Sequence, residues 1–424
     1  MQDYTRILNI AIPVFILLML AELSISYYKG KKVYRYFDTI SSISSGMTNI
    51  VKDVLGLTII IISYQWMYRH LSIFEIRNSA LLFFLAFTFL DFSGYWSHRI
   101  SHQINIFWNR HIIHHSSEEF NLACALRQSV SEVFALFTIF LIPAALMGVP
   151  PKVIHTIAPI HLFLQFWYHT TLVRKMGWLE KIIVTPSHHR VHHAINKVYI
   201  DKNFGQIFII WDKIFGTFKE EDPEITPVYG VKRPVSTWNP WLINFQHVAL
   251  LIKDAIRTKS LADKIKIWFM PTGWRPEDMK EKYPVREIEF LDSDHKFYTP
   301  SSALLNTWIF IQFIITLTAM MIFFNQIGEM SSLLIFSTGF FIFIQIFTYT
   351  SLMDRSYLTY WGWAAQTICM IGVLLIRPLH GNFISFSENQ LLIIFSYQLI
   401  MLIFIIYFLH FTRLTSQKFA SIHE

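Results

Sequence analysis

Cysteine is nearly absent: Cys124 and Cys369 are the only two in 424 residues, far apart and in no CxxC pair. That excludes a disulfide framework and a thiolate metal site. Charge is scarce too, at 15% of residues against 53% hydrophobic ones. A set of ordinary soluble domains of this length needs more charged surface than that. There is no HExxH motif to set a zinc-bound water beside a general base. No basic helix with interleaved aromatics offers a nucleic-acid surface, so the net charge of +7 is read as loops facing an anionic leaflet. Internal repeats and low-complexity segments are missing. No cleavable signal peptide stands out, because positive charge follows the first apolar stretch rather than preceding it.

What is present is a series of long apolar runs. Spans are expected at 7–27, 47–66, 79–97, 132–149, 151–168, 303–325, 332–352, 357–376 and 390–411. The expected fold is an all-α integral membrane protein, a polytopic bundle of about nine transmembrane helices. Lys29, Lys31, Lys32 and Arg35 follow the first span and place that loop in the cytoplasm. Counting onward puts His98, the stretch 169–302 and the C-terminal "RLTSQK" on the same side. Four regions follow: N-terminal spans (1–78), a histidine-bearing catalytic unit (79–260), a connection (261–302) and a C-terminal bundle (303–424). Residues 241–269, "WLINFQHVALLIKDAIRTKSLADKIKIWF", mix apolar and basic residues at helical spacing, as an interfacial helix does.

Histidine is the other abundance. Twelve of eighteen lie between positions 98 and 193, nine of them in "HRISH", "HIIHH" and "SHHRVHH". Residues four apart on a helix share a face, so His98 and His102 point one way just beyond the third span. His111 with His114 and His115, and His189 with His192 and His193, repeat one HxxHH grouping. Imidazole suits iron, zinc, copper or nickel. Eight of them from three segments exceed one tetrahedral ion, so two metals are expected. A solvated metal-scavenging tract would be irregular, and these boxes are not. His155, His161, His247 and His410 are read as packing residues, and His70, His295, His380 and His423 are given no special role. Carboxylates and amides that could orient the ligands are Asp91, Glu118, Glu119, Asp201 and Asn203. Arg127 and Arg190 could hold a headgroup or a cofactor, or snorkel toward phosphates.

The three boxes, attached to paired hydrophobic hairpins, resemble the fatty acid hydroxylase and sterol desaturase superfamily of membrane di-iron oxygenases. The strings "HRISHQINIFWNRHIIHHSSEEFNLACALRQS" and "PSHHRVHHAINKVYIDKNFGQIFIIWDKIFGTF" are most similar to its ether-lipid-cleaving branch, over roughly residues 50 to 260. The resemblance implies that His98, His102, His111, His114, His115, His189, His192 and His193 bind the metals. His169 in "QFWYHT" is implied as a ninth ligand, and His188 is extra to the pattern. It further implies two irons (zinc can replace them on isolation), dioxygen, tetrahydrobiopterin as donor and an alkylglycerol substrate. Hydroxylation at the carbon bearing the ether oxygen would give a hemiacetal that collapses to a fatty aldehyde and a glycerol derivative. A separate reductase would leave no trace in this chain. The location implied is the endoplasmic reticulum in a eukaryote or the inner membrane in a bacterium.

Three alternatives stand beside this reading. A sister oxygenase would act on a sterol, a fatty acyl chain or a carotenoid with the same metal site. A metal transporter should carry ligands midway through its spans, whereas these histidines gather at span ends. A zinc hydrolase lacks its motif.

Overall fold

The computed structural model describes residues 2–76, 79–288, 296–376 and 388–411. His295, His380, His423 and the C-terminal "RLTSQK" lie outside them. The N-terminal part runs through α1 (Gln2–Tyr28), α2 (Tyr36–Val54) and α3 (Tyr64–Leu71). The histidine region contains α4 (Ser79–Gln103), α5 (Asn105–Trp108), α6 (Ile112–His115), α7 (Ile142–Leu146), α8 (Pro151–Phe163), α9 (Pro186–His193) and α10 (Ile210–Ile214). Then come α11 (Pro240–Arg257), α12 (Leu261–Phe269) and α13 (Glu277–Lys282). The C-terminal part is α14 (Ala303–Gln326), α15 (Ser332–Met353), α16 (Leu358–Ile376) and α17 (Glu388–Ile406). The only sheet among the described residues is a two-residue parallel pairing of β1 (Ile59–Ile60) with β2 (Phe134–Ala135).

Five helical stretches among the described residues are long and apolar enough to cross a membrane: Ile7–Tyr28, Ser79–Gln103, Ala303–Gln326, Ser332–Met353 and Leu391–His410. They mark an integral membrane protein. Of the other four expected crossings, 357–376 is the helix α16, and three take another form. The run at 47–66 is cut at Val54, and the helix that enters it begins at Tyr36. The run at 132–149 breaks into β2, a 3-10 turn and the short α7. The run at 151–168 yields 13 helical residues in α8, about 20 Å of rise where a hydrocarbon core needs about 30 Å. Pro143, Pro150 and Pro151 account for the restarts at α7 and α8: each lacks an N–H and fixes its own φ, so helices begin there.

α2 shows why hydropathy misplaced that element. Its buried face is small and polar, with Ser41, Ser42, Ser44, Ser45, Gly46 and Thr48. Such residues let neighbours approach closely. A Cβ on Gly46 would stand 2.9 Å from the Leu126 carbonyl oxygen. Ser41 donates to the Trp238 carbonyl at 2.7 Å, and Ser44 meets the Tyr349 hydroxyl at 2.5 Å. α2 is therefore the seam between the histidine region and the C-terminal bundle, whose core it joins through Met47, Val51 and Val54. Within that bundle Gln345 donates to Gln312 at 2.8 Å and Gln366 donates to Gln345 at 2.6 Å. These bonds tie three apolar helices side by side. A second core joins α3, α4, α7 and α8 through Tyr64, Met67, Ala86, Ala144 and Ile154.

Candidate metal centre

Four segments deliver imidazoles to one place. α4 ends in His98 and His102, one turn apart. α6 is a single turn carrying His114 and His115, with His111 at its N-terminal boundary. α9 starts with Pro186 at its first position and is buried at all eight residues, which include His189, His192 and His193. His169 follows α8 in a buried turn.

The nine side chains form two groups. His98, His102, His111, His115 and His192 make the first; His114, His169, His189 and His193 make the second. In each group the nitrogens all lie within 4.8 Å of one another. Each i, i+4 pair (98/102, 111/115, 189/193) stays in one group, because those residues share a helical stripe. The middle histidine of each HxxHH box goes to the other group. In the first group the Nε2 atoms of His98 and His111 stand 2.9 Å apart, and those of His115 and His192 3.1 Å. In the second, His189 and His169 are 2.8 Å apart and His193 and His189 3.0 Å. The stacked rings of His115 and His193, 4.3 Å between centroids, join the two groups.

Backbone carbonyls set the tautomers. Nδ1 of His98 lies 2.8 Å from the Phe204 oxygen and that of His192 2.9 Å from the Lys202 oxygen. Nδ1 of His169 faces the Gln165 oxygen at 3.0 Å and that of His114 the Arg127 oxygen at 3.3 Å. A neutral imidazole has one N–H, so each of these four presents a bare lone pair at Nε2. His114 and His169 present theirs to each other at 3.4 Å. Two lone pairs at that distance repel unless a cation lies between them. Nitrogens about 2.0–2.1 Å from one ion lie roughly 3.0–3.4 Å apart, close to the spacings seen here. His102 Nε2 is buried without a hydrogen-bond partner, as a ligand nitrogen would be. The residues fit a metal pair.

Burial keeps the imidazoles neutral. It pushes His111, His115, His169, His189, His192 and His193 well below the usual value, and neighbouring imidazoles add to the shift. His114 is pushed down to about 3, again chiefly by burial. The unfolded chain therefore binds more protons than the folded one between its histidine value of 6.5 and these depressed values. Stability is fully present above 6.5 and is lost as pH falls below it toward about 3. The metal-free protein is expected to melt progressively lower as buffer pH is taken from 7.5 to 5; a flat melting temperature over that range contradicts this.

The loop 194–209, which supplies two of the four carbonyls, is held by two buried carboxylates. Asp212 accepts the Phe204 and Gly205 N–H groups, each at 2.7 Å. A Cβ at residue 205 would come within 2.7 Å of the Phe208 oxygen, so glycine is required there. Asp91 accepts from Ile207 N–H (2.8 Å), Phe208 N–H (3.0 Å) and Trp211 Nε1 (2.8 Å), and pairs with His161 Nε2 at 2.9 Å. Asp91 thus acts on the loop, not on a box imidazole, and His161 belongs to Asp91. Asn203, in the left-handed region at φ 55, donates to the His188 and Lys219 carbonyls. Asp201, at φ 57, lies 3.9 Å from His102 Nδ1. Glu118 accepts the Phe297 N–H at 2.6 Å and faces Arg35; Glu119 pairs with Lys296 at 2.7 Å.

His188 lies outside both groups, with its ring against Phe218. His188→Ala is expected to keep the full metal content of the parent, measured on the purified protein; loss of a metal would move His188 into the centre. Arg190 is held by Glu221 through two contacts of 2.7 and 2.6 Å and donates to the Thr170 and Val173 carbonyls, which leaves it no headgroup to hold. Arg127 is buried against Asp38 at 2.7 Å. The sequence reading passed over Asp38, Asp212 and Glu22. Glu22, in α1, accepts from Tyr34 and Thr170 hydroxyls and from the Leu122 N–H at 2.8 Å, clamping the segments beside the second group. Their signals existed: single acids inside the apolar first span, in "RYFD" and in "WDKIFGTF".

A cavity of about 360 Å³ opens on the first group. Its lining includes His102, His115 and His192 of the first group and His193 of the second, the apolar Trp108, Ile112 and Leu251, and a charged side with Lys232, Arg233 and Glu287. On the far side of the centre, Phe120 and Tyr229 stack at 5.0 Å and close the second group.

Comparison with known proteins agrees with this geometry. The fatty acid hydroxylase family profile matches residues 83–217. Alkylglycerol monooxygenase from Homo sapiens is 38% identical over 309 residues, which cover 72% of this chain and 68% of the relative. The proteins of the same name from Danio rerio and Xenopus tropicalis are each 34% identical, over 74% and 71% of this chain and 70% and 67% of their own lengths. No solved structure matches. With a fatty acid hydroxylase core and relatives of that identity over two thirds of their length, the chain belongs to the alkylglycerol monooxygenase family.

Proposed function

We propose that this lipid monooxygenase holds two irons, one in each histidine group, and hydroxylates alkylglycerols at the carbon bearing the ether oxygen. The observation that carries the reading is the convergence of nine imidazoles into two groups beside a cavity lined by both apolar and charged residues. Group one would be held by His98, His102, His111, His115 and His192, and group two by His114, His169, His189 and His193. Iron bound there would supply reduction of dioxygen and transfer of one oxygen atom to a C–H bond. The chain's own work is positional. Trp108, Ile112 and Leu251 admit an alkyl chain and keep water from the histidines, and the carbonyls of Lys202, Phe204, Arg127 and Gln165 hold four rings in the ligating tautomer. No nucleophile is needed.

On this reading the site faces the cytoplasm. The basic loop after α1 packs against the segment after the second box: the Val33 carbonyl accepts from Asn121 at 2.6 Å, and Arg35 lies 3.4 Å from Glu118. A cluster of lysines beside the site supports the cytoplasmic side. Residues 79–260 are the catalytic unit and 303–424 a supporting bundle. The test is aerobic turnover of an alkylglycerol by iron-loaded protein with tetrahydrobiopterin, assayed for fatty aldehyde. Aldehyde that depends on both iron and pterin supports the proposal. Bound iron without aldehyde from any ether lipid would redirect the search to sterols, acyl lipids and other reductants.

A further inference from the structure

We propose that α11 and α12 form an in-plane membrane anchor that sets the mouth of the cavity against the bilayer leaflet, so that lipid enters past this hairpin. The entry role rests on the lipid-oxygenase reading above; the anchor does not. α11 exposes Phe245, Ile252 and Ile256 along one stripe, and α12 exposes Leu261, Ile265 and Phe269 along another, with 40% to 78% of each residue open. The spacings are i, i+7, i+11 and i, i+4, i+8, which keep each set on one helical face. No core cluster of the described residues includes any of the six.

Three observations choose the bilayer as the occupant. The first is height. The last turn of α4 and the start of α5 are bonded to the segment that closes α12: Thr272 Oγ1 donates to the His102 oxygen at 2.5 Å and Thr272 N–H to the Gln103 oxygen at 3.2 Å, while Asn105 Nδ2 donates to the Ile267 oxygen and Asn105 N–H to the Met270 oxygen, each at 3.0 Å. A helix fastened to the last turn of a membrane-crossing helix lies at the membrane surface. The second is charge. Lys253, Arg257, Lys259 and Lys266 are exposed around the apolar stripes, whereas Asp254 is buried in a bidentate pair with Arg275. A basic rim around an apolar face fits anionic headgroups above acyl chains. The third is continuity with the site. His247 and Leu251 of α11 and Thr272, Trp274 and Arg275 beyond α12 line the cavity that opens on the first histidine group. The hairpin is thus bilayer-facing on one side and cavity wall on the other.

The test uses the full chain in vesicles of phosphatidylcholine with phosphatidylglycerol. A nitroxide is attached at Ile265→Cys in a Cys369→Ser background; Cys124 is buried. The expected result is quenching by oxygen in preference to a water-soluble nickel chelate at 265, with the reverse at Lys266→Cys. Preference for nickel at 265, or protection from both quenchers by a second copy or another protein, overturns the anchor. The entry role is read with Ile256→Asp/Ile265→Asp: KM for a long-chain alkylglycerol in vesicles should rise several-fold while kcat/KM for a short soluble analogue stays unchanged. An unchanged KM in vesicles overturns entry at this point. A membrane-depth label in a protein that turns over no lipid would leave the anchor standing and sink the proposed function.

Discussion

His192→Ala is expected to reduce lipid oxygenation to background and to lower bound iron while the spans stay folded. His192 stands at the middle of the first group, with its Nε2 3.1 Å from that of His115 and its ring 4.3 Å from that of His98. Its Nδ1 proton is fixed on the Lys202 carbonyl at 2.9 Å, so the ring has no other task for Nε2 than to face the group. Loss of a residue that merely orients a ligand typically weakens metal binding about 10–100-fold; loss of the ligand itself should do more. Fold is spared because α9 is fastened by Pro186, by the Ala194 pairing with Tyr229 and by the Arg190–Glu221 contacts, none of which uses His192. The checks are iron per chain and aldehyde formation on variant protein with parental helicity. Parental turnover in that variant would remove His192 from the centre.

The second large effect is on stability. Asp38→Ala is expected to destabilise the protein by about 3–5 kcal/mol, because it leaves the Arg127 guanidinium buried without its counter-charge. The side chains of Arg127 and Asp38 are 2% and 3% exposed, with 2.7 Å between Nη2 and Oδ1. Ser42 and Ser116 take other guanidinium protons, and Ser117 donates to Asp38 at 2.8 Å. The pair fastens α2 to the segment that follows the second box. Activity should fall as well, since the Arg127 carbonyl faces His114 Nδ1. Asp38→Ala/Arg127→Met should recover much of the stability, because no charge is then left unpaired in the interior. A double variant no more stable than the single one, by denaturant or thermal unfolding in detergent, would show that the interaction is not the source.

The chemistry of this chain was more legible than its architecture. HxxxH and two HxxHH boxes name their residues because the i, i+4 stripe is a local property of a helix. Which box histidine goes to which group was not readable: it depends on how α4, α6 and α9 cross. Backbone carbonyls, not the nominated Asp91, Glu118 or Asn203, face the Nδ1 atoms of four rings, and no side-chain pattern announces a carbonyl. Hydropathy located the five long spans; at 47–66, 132–149 and 151–168 the helices start elsewhere or are shorter than the apolar runs, because proline interrupts the last two and small polar residues bury against protein in α2. α2 is the plainest case, since its serines lie at a helix–helix seam that no hydropathy pattern marks. The interfacial character of 241–269 was visible, but its fastening to the end of α4 and the start of α5 through Thr272 and Asn105 is a long-range contact.

The most direct test of the two-group centre is the iron bound per chain after anaerobic reconstitution, measured with aldehyde formation on the same sample. Two irons per chain with iron-dependent aldehyde is the expected result. Full turnover by a protein that holds one iron or none would contradict it.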